Sequence, residues 1–243
     1  MIEPRSIPLL IAHRGESFDA PENTPASFAL AWERGVDAIE LDVHLTADQQ
    51  LVVCHDPDTE RTTGKRLIIQ NERLSTLEQL GLCSLDDVLR AVPAGKTAFI
   101  EIKVGAEAVG PLKDLLNHHS RLARDFPVIS FNQTTLRETS RQLPDQPLYL
   151  LIQQKRDAQT NAFAPSADEM IAQALDIGAC GLDIGFNASI DEALVRKVHD
   201  AGLKLLVWTI DDPSDARRMC QIGVDGITTN RAAWMKRQLL QET

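Results

Sequence analysis

Residues 38–54 read AIELDVHLTADQQLVVC, and this stretch contains two apolar, strand-like segments joined by a short polar connection. The connection, HLTADQQ, is too short for the crossover helix that two parallel strands require, which takes about a dozen residues. The second segment, Leu51–Cys54, is therefore expected to return antiparallel as a hairpin arm beside Ala38–Val43. It adds a strand to the fold without continuing a parallel sheet.

Outside this hairpin, apolar strand-like segments alternate with amphipathic helical ones, the pattern of βαβ units and a parallel sheet. We predict nine strands, at Leu9–Ala12, Ala38–Val43, Leu51–Cys54, Ala98–Ile102, Pro127–Ser130, Leu148–Ile152, Gly181–Ile184, Lys204–Trp208 and Gly226–Thr229. Setting the hairpin arm aside leaves eight. Helical segments follow these eight strands at Pro25–Arg34, Leu85–Ala91, Gly110–Arg124, Thr135–Gln142, Ser166–Ile177, Ile190–Ala201, Pro213–Ile222 and Ala232–Leu240. The sequence therefore predicts an α/β fold, a (β/α)8 TIM barrel with a small insertion after strand two.

The chain length favours one domain. With 243 residues, of which 43% are hydrophobic, the chain can bury a single large core. Residues 56–84 separate strand two from its helix, and loops at this end of barrel strands usually carry specificity. We predict one barrel domain over residues 1–243, with residues 56–84 as a small cap insertion, although the Thr-, Gly- and Lys-rich turn of the insertion can equally be a solvated loop.

Charge and composition exclude several classes of protein. The chain has 25 basic and 35 acidic residues, and the formal net charge of −10 opposes non-specific binding to nucleic acid or to an anionic membrane. The N-terminal MIEPRSIPLL lacks the apolar core of a signal peptide, and no apolar run approaches the roughly 18 residues of a membrane span. The four cysteines are scattered without CxxC spacing, so we expect reduced thiols in a cytoplasmic protein with no stable membrane association.

Three carboxylates point to a metal site. Glu40 and Asp42 are two residues apart in a strand, so both side chains project into the barrel. Buried carboxylates repel each other unless they share a cation or a proton. Glu101 and Lys103 repeat this spacing on the next barrel strand, which gives three hard oxygen ligands for Mg²⁺ or Ca²⁺. The alternative is a buried salt-bridge network between Lys103 and these acids.

Two histidines and an arginine lie beside the same strands. His13 and Arg14 follow strand one, at the end where barrel enzymes carry their chemistry, and Gly15 permits a tight turn there. Arg14 can bind a phosphate through two nitrogens. His55 ends the hairpin arm, and with His13 it forms a candidate acid/base pair. Either histidine can instead be a metal ligand or a hydrogen-bonding residue.

The order of short motifs is more specific than any one of them. HRG, PENT, AIELDV, LT-D, VVCHD and EIK follow one another, and VISFN, LLVWTID and VDGITTN continue the series. This order resembles the glycerophosphodiester phosphodiesterase family, in its short cytoplasmic bacterial form. The matching segments run from about Leu10 to Arg231, which is nearly the whole chain.

The resemblance implies an activity and a set of residues. It implies metal-dependent hydrolysis of small-molecule glycerophosphodiesters to sn-glycerol 3-phosphate and an alcohol, and it leaves a homo-oligomer open. The implied site holds one divalent cation, Mg²⁺ or Ca²⁺, at Glu40, Asp42 and Glu101. In the same resemblance, His13 and His55 are the acid and base, and Arg14 and Lys103 bind the phosphate. Glu22 lies at the edge of the implied site, and Trp208 lines its glycerol end. Two alternatives are a lysophospholipase D-type phosphodiesterase acting on membrane lipid and a non-catalytic barrel that binds a phosphate ligand.

A few positions depart from the pattern or stay ambiguous. Asn230 in TTN stands where relatives often have aspartate, which weakens any role for a carboxylate there. The insertion is shorter than in many relatives, so the cap is small. His44 shares the face of Glu40 and Asp42 but begins the hairpin turn, where we expect it to be exposed. Asp183 and Asn132 either enter the barrel mouth or hold turns.

Overall fold

The computed structural model of the chain describes residues 7–119 and 123–241. Its strands are β1 (Leu9–His13), β2 (Ala38–Leu45), β3 (Leu51–Val53), β4 (Thr97–Ile102), β5 (Val128–Ser130), β6 (Leu148–Ile152), β7 (Lys155–Arg156), β8 (Phe163–Ala164), β9 (Gly181–Gly185), β10 (Lys204–Trp208) and β11 (Gly226–Thr229). Its α-helices are α1 (Pro25–Glu33), α2 (Glu60–Thr63), α3 (Leu74–Glu78), α4 (Leu85–Ala91), α5 (Val109–His118), α6 (Gln133–Gln142), α7 (Ala167–Ile177), α8 (Glu192–Asp200), α9 (Pro213–Ile222) and α10 (Ala232–Leu240). Single 3₁₀ turns lie at Ile69–Asn71, Ala106–Ala108 and Ala123–Asp125.

Eight parallel strands close into a barrel. Around the barrel they follow the order β1, β2, β4, β5, β6, β9, β10, β11, and β11 pairs with β1 to close it. β3 lies outside this ring and pairs antiparallel with β2, with Val43 opposite Val53. The TIM barrel and the hairpin arm predicted from the sequence are therefore both confirmed.

Local sequence explains where the elements begin. In α1, Thr24 accepts a hydrogen bond from the backbone N–H of Ser27 at 3.2 Å, and Pro25 occupies the first helical position, where its missing N–H costs nothing. Several predicted boundaries agree with the structure to the residue, among them β6, β10, β11 and α9. The β7–β8 hairpin was not predicted, since arms of two residues are too short to show an alternating pattern.

Two predictions reach beyond the described residues. The predicted helix Gly110–Arg124 corresponds to α5, which ends at His118, and to the 3₁₀ turn at Ala123–Asp125, while residues 120–122 between them lie outside the described part. The expectation for the N-terminal segment includes residues 1–6, which also lie outside it. Within residues 7–119 and 123–241, each helix is too short or too polar to cross a membrane.

The apolar core has two main layers. The outer layer lies between the sheet and the surrounding helices. The inner layer fills the barrel and consists of Ile11, Ala38, Phe99, Ile129, Tyr149, Leu151 and Leu206. Phe99 and Ala38 each precede one of the predicted metal ligands by two residues on the same strand, so they project to the same side. The barrel is thus closed by apolar side chains below and carries polar ones towards its mouth.

The insertion packs on the hairpin arm. Val52 and Cys54 form a small separate cluster with Ile69 and Leu77 of the insertion. A backbone bridge between Asp58 and Ile68 holds the loop that contains α2. These contacts keep the insertion beside the carboxyl end of β2, next to the barrel mouth. The four cysteines of the chain are unpaired.

Candidate active site

Three buried carboxylates meet at the mouth of the barrel. β2 and β4 pair in parallel with Asp42 beside Glu101, and Glu40 lies two residues earlier on the same face of β2. One carboxylate oxygen from each residue lies within 4.8 Å of those from the other two. The predicted meeting of Glu101 with the pair on β2 is therefore confirmed, and it follows from strand register rather than from closeness in sequence.

The three acids have different proton affinities. Burial raises the pKa of Glu40 well above its usual range, and the charges of Asp42 and Glu101 raise it further. Burial and the charge of Asp42 also raise the pKa of Glu101, to about 7. Burial acts in the same direction on Asp42, but the charges of Lys103 and Arg14 outweigh it and lower its pKa. Without a further cation, Glu40 and Glu101 therefore bind protons more strongly than ordinary carboxyl groups, and Asp42 binds them less strongly.

Two cationic side chains compensate part of this charge. Lys103 Nζ lies 2.8 Å from Glu101 Oε1 and 3.3 Å from Asp42 Oδ1, and Arg14 Nε lies 3.3 Å from Asp42 Oδ2. The salt bridges of the alternative interpretation are thus present. Even so, the buried Asp42 Oδ1 accepts no hydrogen bond from the residues that the structure describes. Three close carboxylates, one with an unused oxygen, fit a hard divalent cation such as Mg²⁺ or Ca²⁺.

His13 ends β1 and is oriented by a polar relay. Its Nδ1 lies 2.8 Å from Asn230 Oδ1, and Asn230 Nδ2 donates to Asp211 Oδ2 at 2.6 Å. A carboxylate can only accept hydrogen bonds, so Asp211 orients the Asn230 amide with its NH₂ group towards Asp211 and its oxygen towards His13. Because that oxygen can only accept a hydrogen bond, His13 Nδ1 carries the proton. Burial, helped by the charge of Arg14, lowers the pKa of His13. A neutral His13 thus presents its unprotonated Nε2, which lies 4.0 Å from Glu40 Oε2.

The turn after β1 depends on Gly15. This residue has φ +82°, and a β-carbon there would overlap Ser27 at the start of α1. Arg14 also adopts a left-handed conformation, with φ +57°, and its backbone N–H donates to Glu40 Oε2 at 3.0 Å. The turn therefore fixes Arg14 and His13 against the carboxylate cluster, as the sequence predicted for glycine at this position.

His55 has a separate carboxylate partner. Its Nδ1 lies 2.7 Å from Asp56 Oδ1, and Asp56 Oδ2 accepts a hydrogen bond of 2.5 Å from Arg61 Nε on α2. The hydrogen bond from Arg61 lowers the pKa of Asp56 to about 2, with burial opposing it and His55 adding to it. Asp56 is therefore ionised at neutral pH and holds His55 Nδ1 as a donor.

The prediction that His44 is exposed was wrong. β2 continues to Leu45 because its pairing with β3 continues, so His44 lies inside the sheet opposite Val52 and is buried. Its Nε2 lies 3.1 Å from the backbone oxygen of His55. Burial lowers the pKa of His44, so the neutral ring donates to that oxygen and supports the residue after the hairpin arm.

Glu22, from PENT, lies at the edge of the site. Its Oε1 accepts from Arg14 Nη1 at 3.0 Å, and both of its oxygens accept from Arg61, at 2.7 and 2.8 Å. The neighbouring Asn23 donates to Asp42 Oδ2 at 2.8 Å. Sequence reasoning did not identify Asn23, Arg61 or Asp211, although the PENT and WTID motifs contain the first and the last.

A cavity of about 370 Å³ lies above the cluster. Its lining joins a charged wall, namely His13, Arg14, Glu40, His55, Glu101 and Lys103, to a largely apolar wall of Ile129, Phe131, Leu151 and Trp208. Trp208 and Phe131 meet edge to face with centroids 5.7 Å apart. Asp183 also lines the cavity, whereas Asn132 caps α6 by accepting from two backbone N–H groups. A larger cavity of about 570 Å³, at the opposite end of the barrel, contains none of the clustered groups.

The fold and this site define a TIM-barrel enzyme whose polar groups converge at the carboxyl ends of its strands. Residues 13–233 match the glycerophosphoryl diester phosphodiesterase family, and the chain belongs to that family. A glycerophosphodiester phosphodiesterase of Caldanaerobacter subterraneus subsp. tengcongensis is 33% identical over 245 aligned positions, which cover 91% of this chain and 93% of the relative. The crystal structure of a glycerophosphodiester phosphodiesterase from Thermotoga maritima superposes with a TM-score of 0.79 at 25% identity, over 94% of this chain and 97% of that one.

Proposed function

We propose that this enzyme hydrolyses glycerophosphodiesters to sn-glycerol 3-phosphate and an alcohol, with one divalent cation, Mg²⁺ or Ca²⁺. The observation that carries the proposal is one cavity lined by two of the three clustered carboxylates, two cationic side chains and two histidines, with the third carboxylate, Asp42, within 4.8 Å of the other two. Its volume of about 370 Å³ suits a small diester. Family membership supports the same substrate class.

Glu40, Asp42 and Glu101 would hold the cation, which would neutralise negative charge on the phosphate oxygens as it develops in the transition state. Arg14 and Lys103 would bind the same phosphate from the protein side. Glu22 contributes by holding the guanidinium of Arg14 at the edge of the site. A preorganised set of positive charges is effective because it needs no rearrangement during the reaction.

His13 is proposed as the base and His55 as the acid. The neutral Nε2 of His13 would accept the proton of the nucleophile, whose oxygen bonds to phosphorus. His55, held through Nδ1 by Asp56, would give a proton to the alcohol oxygen as its bond to phosphorus breaks. The nucleophile is water or the glycerol 2-hydroxyl, the latter giving a cyclic phosphate that water then opens.

The remaining parts of the chain support this chemistry. Trp208, beside Phe131, would line the glycerol end of the cavity. We propose that residues 1–243 form one catalytic domain and that residues 56–84 cap its mouth, held to it by Arg61. The four unpaired cysteines favour a reducing, cytoplasmic environment.

A metal-by-substrate matrix tests the proposal. The protein is stripped with EDTA, desalted, and assayed with Mg²⁺, Ca²⁺ or neither for release of glycerol 3-phosphate from glycerophosphocholine. We expect negligible release without metal and recovery on adding one of the two ions. His13→Ala and His55→Ala should each lower turnover about 10²- to 10⁴-fold at saturating metal. Full activity of the stripped protein would exclude the metal role, and near-normal turnover by either variant would exclude its assigned role.

The same matrix separates the alternatives. Faster turnover of lysolipids than of water-soluble diesters would favour a lysophospholipase D-type enzyme. Binding of glycerol 3-phosphate without turnover of any diester would favour a barrel that only binds a phosphate ligand.

A further inference from the structure

Asp183 is a buried acid, one of whose carboxyl oxygens has no hydrogen-bond partner within residues 7–119 and 123–241. It lies at the centre of β9, in register with Leu151 of β6 and Leu206 of β10. Both leucines belong to the apolar layer inside the barrel, so Asp183 also faces inward. The residue is 3% exposed, and its Oδ1 is buried with no hydrogen-bond partner among the described residues. A buried carboxyl oxygen without a hydrogen-bond partner costs stability.

The position of Asp183 relates it to the active site. It lines the same cavity as the two histidines, and β9 is four strands away from β2 in either direction around the barrel. Asp183 therefore faces the cavity from the wall opposite Glu40 and Asp42. Its backbone is fixed there, because Trp208 Nε1 donates to the Asp183 carbonyl oxygen at 3.1 Å.

We propose that Asp183 is a specificity-determining residue that binds the terminal hydroxyl of the glycerol half of the substrate, an inference that rests on the proposed function. A phosphate bound by Arg14 and Lys103 lies at the charged wall, so the attached three-carbon chain extends towards the opposite wall. Asp183 is the carboxyl group on that wall, and the side chains in register with it are apolar. It can therefore accept a hydrogen bond from a hydroxyl group without competition from those neighbours.

The chemistry of the site favours a hydroxyl group as ligand. Burial raises the pKa of Asp183 well above its usual range, and the charge of Glu101 adds to this. A protonated carboxyl both donates to and accepts from a hydroxyl, while an ionised one only accepts, so either form can bind it. A hydrogen-bonding group buried in this way discriminates strongly, because a substrate without the hydroxyl leaves it unpaired.

The test compares substrates that differ by one hydroxyl. kcat/KM is measured for wild type, Asp183→Asn and Asp183→Leu with a glycerophosphodiester, with its analogue lacking the terminal hydroxyl, and with bis(p-nitrophenyl) phosphate, which has no glycerol. Wild type should prefer the complete substrate by about 10- to 100-fold over the deoxy analogue, the effect of leaving one buried hydrogen-bonding group unpaired. Asp183→Leu should abolish this preference by lowering kcat/KM for the complete substrate alone, and Asp183→Asn should retain part of it.

Thermal unfolding separates this effect from loss of the fold. Asp183→Leu should unfold above the wild-type temperature, since it removes a buried carboxyl oxygen that has no partner among the described residues, and Asp183→Asn, which keeps a buried polar group, should unfold close to that temperature. Glu16→Gln is the matched control, because Glu16 is also a buried acid, 1% exposed, but is paired with Arg34 at 3.1 Å and with the backbone N–H of Ala233 at 2.8 Å. This control should lower the unfolding temperature and keep the substrate preference.

The outcomes distinguish this inference from the proposed function. If wild type hydrolyses the glycerophosphodiester and Asp183→Leu keeps the preference for the terminal hydroxyl, the inference is wrong and the function stands. The inference is also wrong if the variants change only the preference between a choline and an uncharged head group. If wild type releases no glycerol 3-phosphate with either metal, the proposed function fails and the inference fails with it.

Discussion

Asn230 is the residue whose importance the sequence least indicated. Relatives often have aspartate at this position, so the asparagine weakened the case for a functional carboxylate there. In the structure its amide connects Asp211 to His13, two residues separated from each other by most of the chain. An amide can connect them because its oxygen accepts a hydrogen bond and its NH₂ group donates one. The orientation of His13 therefore depends on a neutral residue and on the acid behind it.

This relay gives a prediction for the proposed base. Asn230→Ala and Asp211→Asn should each lower kcat for glycerophosphodiesters about 10- to 100-fold with a smaller change in KM, because His13 loses its fixed tautomer. The control is Asp212→Asn at the neighbouring position, where the side chain caps α9 through Ser214. We expect that control to affect stability only slightly. Unchanged kcat in both relay variants would contradict a role for the relay.

Glu101 gives a prediction about pH in the metal-free protein. Its pKa is about 7 in the folded chain, against about 4.3 in an unfolded one. The stabilisation from the bound proton is complete below about pH 4 and is lost as the pH rises to about 7. In EDTA, the free energy of unfolding should therefore decline by about 2.5 kcal/mol from this group between about pH 5 and pH 8, as measured by urea denaturation.

Glu101→Gln is the matched variant for that measurement. It lacks the titrating group, so its metal-free stability should fall less steeply with pH than that of wild type. Mg²⁺ or Ca²⁺ should stabilise wild type more at the higher pH, because the cation competes with protons for the carboxylates. Equal pH slopes for the two proteins would contradict the raised pKa of Glu101.

At the scale of elements, the hairpin and the insertion act together. β3 places His55 at the edge of the barrel, and the insertion that follows contributes α2 with Arg61. The guanidinium joins Asp56 to Glu22, so one side chain connects the partner of His55 with the partner of Arg14. The insertion therefore orders groups of the site although it lies outside the barrel.

Arg61→Ala should lower kcat/KM about 10-fold or more, because Asp56 and Glu22, the partners that orient His55 and Arg14, both lose their contact with Arg61. The free energy of unfolding should change by less than about 1 kcal/mol, because the Arg61 side chain is half exposed and such ion pairs stabilise little. Arg66→Ala is the control, since Arg66 is an exposed arginine of the same insertion, paired with Asp58 and Glu60. Equal activity of the two variants would show that the Arg61 contacts are not functional.

At the scale of the whole molecule, the apolar filling of the barrel supports the site. Phe99 lies below Glu101 on β4, is buried, and packs against Tyr149 with ring centroids 5.7 Å apart. Phe99→Ala should lower the free energy of unfolding by about 3–5 kcal/mol, through lost burial and the cavity left behind. Phe18→Ala is the control, because Phe18 is exposed and contacts Arg231. It should cost about 1 kcal/mol or less, and similar losses for the two variants would contradict this view of the core.

The sequence by itself determined the barrel, the hairpin arm and the face on which Glu40, Asp42 and Glu101 lie, because these follow from local periodicity and from the length of connections. It did not determine the burial of His44, which depends on how far β2 pairs with β3. Nor did it indicate the relay through Asn230 or the contacts of Arg61 with Asp56 and Glu22, and it left open whether Asp183 enters the cavity or holds a turn. These features, and the proton affinities of the acids, depend on strand register and burial, which exist only once the barrel closes and brings distant residues together.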